Sequence, residues 1–130
     1  MGAVRSRAAL SWPEALQRHL EAIQRRDLQA LAETIADPLV VIASDGKLMR
    51  TAAEFLEAHR AWFAMPHWSL QATPVEIKES DGMGFAVLHL LYSEDAPGKP
   101  ALRQQSHLTL AFEKRARRWL MVLDQNTPIK

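Results

Sequence analysis

The residue best placed for acid–base chemistry is a histidine on the apolar face of the first predicted helix. His19 shares this face with Leu16, Leu20 and Ile23, at the three- and four-residue spacings of one side of a helix. An imidazole titrates near neutral pH and can serve as acid, base or hydrogen-bond donor. Two interpretations stay open: His19 is a catalytic residue in a cavity, or it is a core residue bonded to a backbone carbonyl.

A second group of polar side chains is predicted at one end of the sheet face that carries most of the apolar residues. Strict alternation along the last three strands places Tyr92, Ser106 and Gln125 there. A few polar groups converging in an apolar pocket would orient a ligand. The alternative is that these residues are polar only because strand ends near loops are more exposed to water. The residues predicted to line a pocket are Leu16, His59, Trp62, Phe63, Leu90, Tyr92, Ser106, Leu108, Leu110, Trp119, Met121 and Gln125.

Three titratable residues alternate onto the opposite face of the predicted sheet. His89, His107 and Asp124 would form one row if the connecting turns are tight, because cross-strand neighbours lie ~5 Å apart. Such a row is compatible with a metal ion. A polar network in a subunit interface is the preferred interpretation, and no metal site is predicted.

Helices in the first half and strands in the second must position these side chains. Two amphipathic helices are predicted between Trp12 and Ala36, where Asp37-Pro38 ends the second. A short strand begins at Leu39, and a third helix ends at Phe63. The β segments of the second half are predicted over 67–79, 83–93, 102–113 and 118–126.

This order of elements predicts an α+β fold. The three helices should pack on the concave face of a curved antiparallel or mixed sheet that forms a half-open cone. The opposite face is semi-apolar, so we expect a homodimer through its residues His89, His107, Thr109 and Asp124. In the final hairpin Trp119 is expected to pack opposite Phe112, whereas Trp12, at a helix end that can fray, should contribute far less to stability.

Composition narrows the functional classes. The 130 residues are 48% apolar and carry a net charge of +1, which gives no basis for a nucleic-acid surface. Cysteine is absent, which excludes disulfides and thiolate catalysis. No apolar run is long enough to span a membrane. We expect a flexible segment over residues 1–11, a single domain over residues 12–130, a cytoplasmic location and no cofactor.

Particular stretches carry a resemblance to a known family. They are the helical segment Ala22-Ile23-Gln24-Arg25-Arg26-Asp27-Leu28, the Asp45-Gly46 turn, and the closing segment from Arg118-Trp119 to Thr127-Pro128. With these the chain resembles the nuclear transport factor two-like superfamily, and within it the SnoaL-like branch that includes ketosteroid isomerases and polyketide cyclases. The resemblance implies a cone-shaped pocket and dimerisation through the outer sheet face.

The chain differs from ketosteroid isomerases at the catalytic positions. Those enzymes use a tyrosine on the first helix, an aspartate on a late strand and another aspartate at the end of the first strand. Here the matching positions are His19, a position near Leu108 and one near Ala43. Both carboxylates are missing, so steroid isomerisation by that mechanism is not expected.

Two classes of function follow. The first is a small-molecule-binding domain that performs cofactor-free acid–base chemistry on an apolar, cyclic substrate, with His19 as the principal residue. The second is a non-catalytic module of the same superfamily that binds a ligand or mediates association.

Overall fold

Six strands form one curled, mixed sheet that does not close into a barrel, and three helices pack on it. The structure is a computed structural model and describes residues 9–130. The elements are α1 (Trp12–Gln24), α2 (Leu28–Ala32), β1 (Ile35–Ile42), β2 (Leu48–Met49), α3 (Ala52–Phe63), β3 (Trp68–Ser80), β4 (Met83–Glu94), β5 (Leu102–Arg115) and β6 (Arg118–Pro128). The predicted α+β cone is therefore confirmed.

The strand order places the end of the chain in the middle of the sheet. The order is β2-β1-β6-β5-β4-β3, and every neighbouring pair is antiparallel except β1 and β6, which are parallel. Long strands β4, β5 and β6 supply most of the concave face, so the residues that form a pocket floor come from these strands.

Local capping signals explain where the helices begin. The Ser11 hydroxyl accepts a hydrogen bond from the Glu14 amide at 3.3 Å, and the Glu14 carboxylate accepts one from the Ser11 amide at 2.9 Å. Thr51 and Glu54 repeat this capping box at the start of α3. Each box satisfies amides that have no partner inside the helix.

The second helix is shorter than predicted. It ends at Ala32 rather than Ala36, because the next residues join the sheet. The Thr34 carbonyl accepts a hydrogen bond from the Met121 amide at 2.9 Å, and Ile35 pairs with Met121. Pairing with β6 thus ends the helix before Asp37-Pro38, although the apolar spacing of the sequence is helical up to Ala36.

Trp12 belongs to the core, and the expectation that it frays with the helix end is wrong. Its side chain is 1% exposed, against 7% for Trp119. Its ring centroid lies 5.0 Å from that of Phe112 and 5.6 Å from that of Trp119. The indole can lie this close to the sheet because Gly84 has no side chain: a Cβ there would sit 2.7 Å from two indole atoms.

A bulge in β6 reverses the alternation of its side chains. Phe112 pairs with Met121, but Ala111 pairs with Leu123, which leaves Val122 as the extra residue. From Leu123 onward each side chain therefore points to the face opposite to that predicted by strict alternation.

The bulge corrects two sequence predictions. Asp124 pairs with Leu110 and lies on the concave face, not the outer one. Gln125 pairs with Thr109 and lies on the outer face, so its predicted place in the pocket is wrong. The physical reason is the one-residue shift, which a pattern of period two cannot reveal.

No helix among residues 9–130 is long and apolar enough to cross a membrane. The predicted flexible segment over residues 1–11 lies, for its first eight residues, outside the described part of the chain.

Gly84→Ala should destabilise the protein by about 1–3 kcal/mol, because the added methyl group overlaps the Trp12 indole. Urea denaturation measures the change. The control is the same substitution in a Trp12→Leu background, where the clash is relieved and the cost of the alanine should largely disappear. An equal cost in both backgrounds would contradict this contact.

Candidate functional site

A pocket with a volume of about 600 Å³ opens at one end of the concave face. This volume is within the range of small-molecule sites. Four of the residues predicted to line a pocket do so: Trp62, Leu90, Tyr92 and Ser106. The sequence prediction missed the remaining wall residues, which are Ser44, Leu70, Arg103, Gln104, Gln105, Asn126, Pro128 and Ile129.

One wall of the pocket is an indole held by a stack of flat groups. The Trp62 and Trp68 rings are stacked with centroids 4.2 Å apart. The Arg26 guanidinium carbon lies 3.7 Å from the Trp68 ring centroid, and its Nη2 donates to the Trp68 carbonyl at 2.7 Å. Trp68 Nε1 donates to the Trp62 carbonyl at 3.0 Å. These bonds restrict the orientation of the Trp62 ring that lines the pocket.

Tyr92 presents an acceptor rather than a donor to the pocket. Its hydroxyl donates to the Glu94 carboxylate at 2.5 Å. Burial, followed by this hydrogen bond, raises the pKa of the Tyr92 phenol. The hydroxyl proton of Tyr92 therefore points to Glu94, and the lone pairs of the phenol oxygen remain free to accept a hydrogen bond from a ligand.

Asn126 is the polar residue of the pocket with an unmet hydrogen bond. It pairs with Leu108 on the concave face and lines the pocket. Its Oδ1 atom is buried and has no hydrogen-bond partner among the described residues. A buried acceptor without a donor is destabilising, so a ligand or water that donated to this amide oxygen would relieve the cost.

Asp124 is the functional candidate that the sequence analysis placed on the wrong face. It lies on the concave face between Val41 of β1 and Leu110 of β5, two residues before the wall residue Asn126, and is not itself one of the wall residues. Burial raises the pKa of the Asp124 carboxyl to about 7. A carboxyl with this pKa is present in both protonation states at neutral pH and can give or take a proton.

His19 is a core residue in the structure. Its side chain is fully buried, with Nδ1 2.7 Å from the Thr34 hydroxyl. That hydroxyl donates to the Leu31 carbonyl, so it accepts from His19 Nδ1, and His19 Nε2 is an acceptor without a partner in the described part of the chain. Burial, followed by the nearby His59, lowers the pKa of His19 to about 3.

His19 contributes no atom to the walls of the pocket. Its contacts agree with the core interpretation, with a threonine hydroxyl in place of the backbone carbonyl. A catalytic role for His19 stays a prediction.

The other predicted pocket residues lie beside or below the pocket. His59 Nδ1 donates to the Phe55 carbonyl at 2.8 Å, and burial lowers the pKa of His59. The His59 and Phe63 rings lie 5.7 Å from Trp62, between centroids, and so support the aromatic wall from outside the pocket. The remaining predicted residues on this side of the sheet lie in the buried core, namely Leu16, Leu108, Leu110, Trp119 and Met121.

The predicted row of His89, His107 and Asp124 does not form. His89 pairs with His107 as predicted, but His107 pairs with Thr127 because of the bulge. Across residues 9–130 there is no group of three or more histidine, aspartate or glutamate side chains that could hold one metal ion.

Comparisons with known proteins identify the family of the fold. A family model described as a SnoaL-like domain matches residues 13–125. No functionally curated protein matches the sequence.

Solved structures with the same fold carry different functional descriptions. A candidate calcium/calmodulin-dependent protein kinase type II association domain from Thiobacillus denitrificans superposes with a TM-score of 0.80 at 17% identity, over 95% of this chain and 98% of that one. A candidate dehydratase from Streptomyces avermitilis gives a TM-score of 0.76 at 15% identity, over 88% and 91% of the two chains. A candidate ketosteroid isomerase from Shewanella frigidimarina gives 0.69 at 18% identity, over 87% and 91%. At these identities the similarity concerns the fold alone.

Asp124→Asn should stabilise the protein at about pH 8 and have little effect at about pH 4. The native pKa of about 7 exceeds the ordinary value of 3.8, so the native state binds more protons between these values. The contribution of Asp124 to stability is therefore most favourable below pH 3.8 and is lost as the pH rises through 7, at ~1.4 kcal/mol per pH unit. Urea midpoints of both proteins across this range measure the difference. A difference that does not change with pH would contradict the assigned burial.

Proposed function

The chain belongs to the SnoaL-like domain family of the nuclear transport factor two-like superfamily, and from this premise we propose that it binds a small, cyclic, mainly apolar molecule and acts on it by cofactor-free acid–base chemistry with Asp124. The observation that carries the proposal is the Asp124 carboxyl, whose position on the concave face and pKa of about 7 suit proton transfer at neutral pH.

The lining of the pocket supports a ligand of this class. Trp62, Leu70 and Leu90 offer apolar surface, while Ser106 and Asn126 offer polar groups from the neighbouring strands β5 and β6. A few placed polar groups in an apolar cleft are the usual composition of a small-molecule site. A flat or gently puckered ring against the Trp62 indole would bury apolar area and leave its polar substituents beside Ser106 and Asn126.

In this proposal Asp124 supplies the carboxyl group that ketosteroid isomerases carry at other positions of the fold. Two residues along a strand span about 7 Å, so the Asp124 carboxyl lies roughly one substituted ring away from the Asn126 amide. In the proposed reaction the ionised carboxylate removes a proton from a carbon next to a ligand carbonyl. The resulting carboxylic acid returns the proton to a second position, and the enzyme ends in its starting state.

The binding part of the proposal is tested by two adjacent residues on opposite faces. Asn126→Ala should weaken binding of 2-naphthol about tenfold or more, because a buried pocket amide loses its bond to the ligand hydroxyl. Titration calorimetry measures the affinity. Gln125→Ala is the matched control, since Gln125 faces outward opposite Thr109 and should bind like the parent protein. Equal losses in both variants would contradict the assignment of the pocket.

The chemical part is tested by hydrogen exchange at carbon. In D₂O the protein should accelerate deuterium incorporation next to the carbonyl of 2-tetralone, which proton NMR follows. The rate should rise with the ionised fraction of Asp124, with an inflection near pH 7. Asp124→Asn should lose the acceleration about a hundredfold while it retains 2-naphthol binding. If His19→Phe loses it and Asp124→Asn does not, the proton is carried by the histidine instead.

A second candidate function is self-association through the outer sheet face. Two large apolar side chains are well exposed there, Phe85 at 42% and Met83 at 40%. Several half-buried apolar residues continue this face, namely Val87, Leu91, Ala111, Leu120 and Leu123. An apolar surface of this extent favours a partner. The residues proposed to meet a second copy include His89, His107 and Thr109, whereas Asp124 lies on the concave face.

A further inference from the structure

Two histidines lie side by side at the centre of the outer sheet face. His89 of β4 and His107 of β5 are direct partners in the strand register, and their ring centroids are 6.3 Å apart in an edge-to-face arrangement. The imidazole Nε2 of His89 is 2.8 Å from the Gln105 side-chain oxygen. The association surface proposed above contains this pair but gives it no role of its own.

Among residues 9–130, the direct strand partners of the two histidines carry no charge. On β3 the residue opposite His89 is Thr73, and on β6 the residue opposite His107 is Thr127. We call the uncharged surface around the pair the central band. Its members are Val87, His89, Leu91, Gln105, His107, Thr109, Ala111, Leu123 and Gln125.

Charged side chains on the flanks of the central band form ion pairs with one another. Glu76, opposite Val87, lies 3.8 Å from Lys78 on the same strand. Arg103 lies 3.1 Å from Asp95. Glu113 is paired with Arg115 at the hairpin end. A histidine of the central band that took up a proton would therefore find, on β3 and β5, carboxylates that already have a cationic partner, and Asp124 of β6 lies on the concave face.

The charge pattern selects a second copy of this chain as the occupant of the face. A strongly charged partner would find no complementary charge on the central band. An identical band is uncharged and apolar in the same places, so two copies can meet about a two-fold axis without burying an unpaired ion. This match holds only while the four imidazoles of the two copies are neutral.

We propose that His89 and His107 make self-association of this chain dependent on pH. The proposal rests on the association surface of the second candidate function and adds its regulation. With the imidazoles neutral, two copies associate through the central band. As the histidines take up protons on acidification, the interface would have to bury four like charges, and the copies separate.

The direction follows from proton linkage. The separated chains can bind protons on His89 and His107 that the associated state excludes, so lower pH favours separation. With up to two such protons per chain, the dissociation constant should rise by about tenfold or more per pH unit on acidification.

The test is sedimentation of the full chain at micromolar concentration and constant ionic strength, at about pH 8 and about pH 5.5. We expect the dimer at the higher pH and the monomer at the lower. The double variant His89→Gln/His107→Gln keeps polar side chains of similar size that do not titrate, and it should be dimeric at both values. His67→Asn, an exposed histidine outside the central band with a φ of 72° that asparagine tolerates, is the control and should behave like the parent chain.

A third variant tests the charge directly. His107→Lys places a permanent cation in the central band and should be monomeric at both pH values, with an unchanged circular dichroism spectrum. A dimer that persists unchanged at about pH 5.5, or a double variant that still separates there, overturns the proposal while leaving association intact. A parent chain that is monomeric at both values overturns the association surface itself.

Discussion

The packing of one indole ring on a glycine holds the helical layer against the sheet. Trp12 lies on Gly84 and against Phe112 at the end of the sheet where the β3–β4 turn lies. At the other end of α1, the Gln24 side chain donates to the Leu70 carbonyl at 3.3 Å. Helix α1 is thus attached at both ends, by close packing at the first and by a side-chain hydrogen bond at the second. The pocket lies at the second end, where Leu70 is one of its wall residues.

Local signals were sufficient for most elements of the fold, because a cap or an apolar stripe needs only nearby residues. Helix α1 begins at Trp12 and α3 ends at Phe63, as predicted. The early end of α2 was missed, since it depends on pairing between Ile35 and Met121, far apart in the sequence.

The pocket was predicted in part, because regular alternation along a strand follows from nearby residues, whereas a bulge depends on the pairing with another strand. Up to Ser106 the alternation of each strand is regular, and Leu90, Tyr92 and Ser106 were assigned to the correct face. Beyond Met121 one unpaired residue reversed the faces, so that Gln125 was chosen in place of Asn126. His19 was correctly predicted to point inward, but its partner Thr34 is fifteen residues away in the chain and was not foreseen. The interior keeps both His19 and, at neutral pH, part of the Asp124 population uncharged. These two groups respond to acid with opposite signs, so their effects on stability largely offset each other between about pH 4 and pH 6.5.

The extra residue in β6 also has a consequence for how such a pocket can change during evolution. Loss of the codon for Val122 would remove the bulge, and Leu123 would follow Met121 directly while still lying opposite Ala111. Every later residue would keep its strand partner, so Asp124 and Asn126 would stay on the concave face. The strand can therefore gain or lose one residue at this point without exchanging its two faces. Related chains that differ in length by one residue here are expected to keep the same side chains on the concave face.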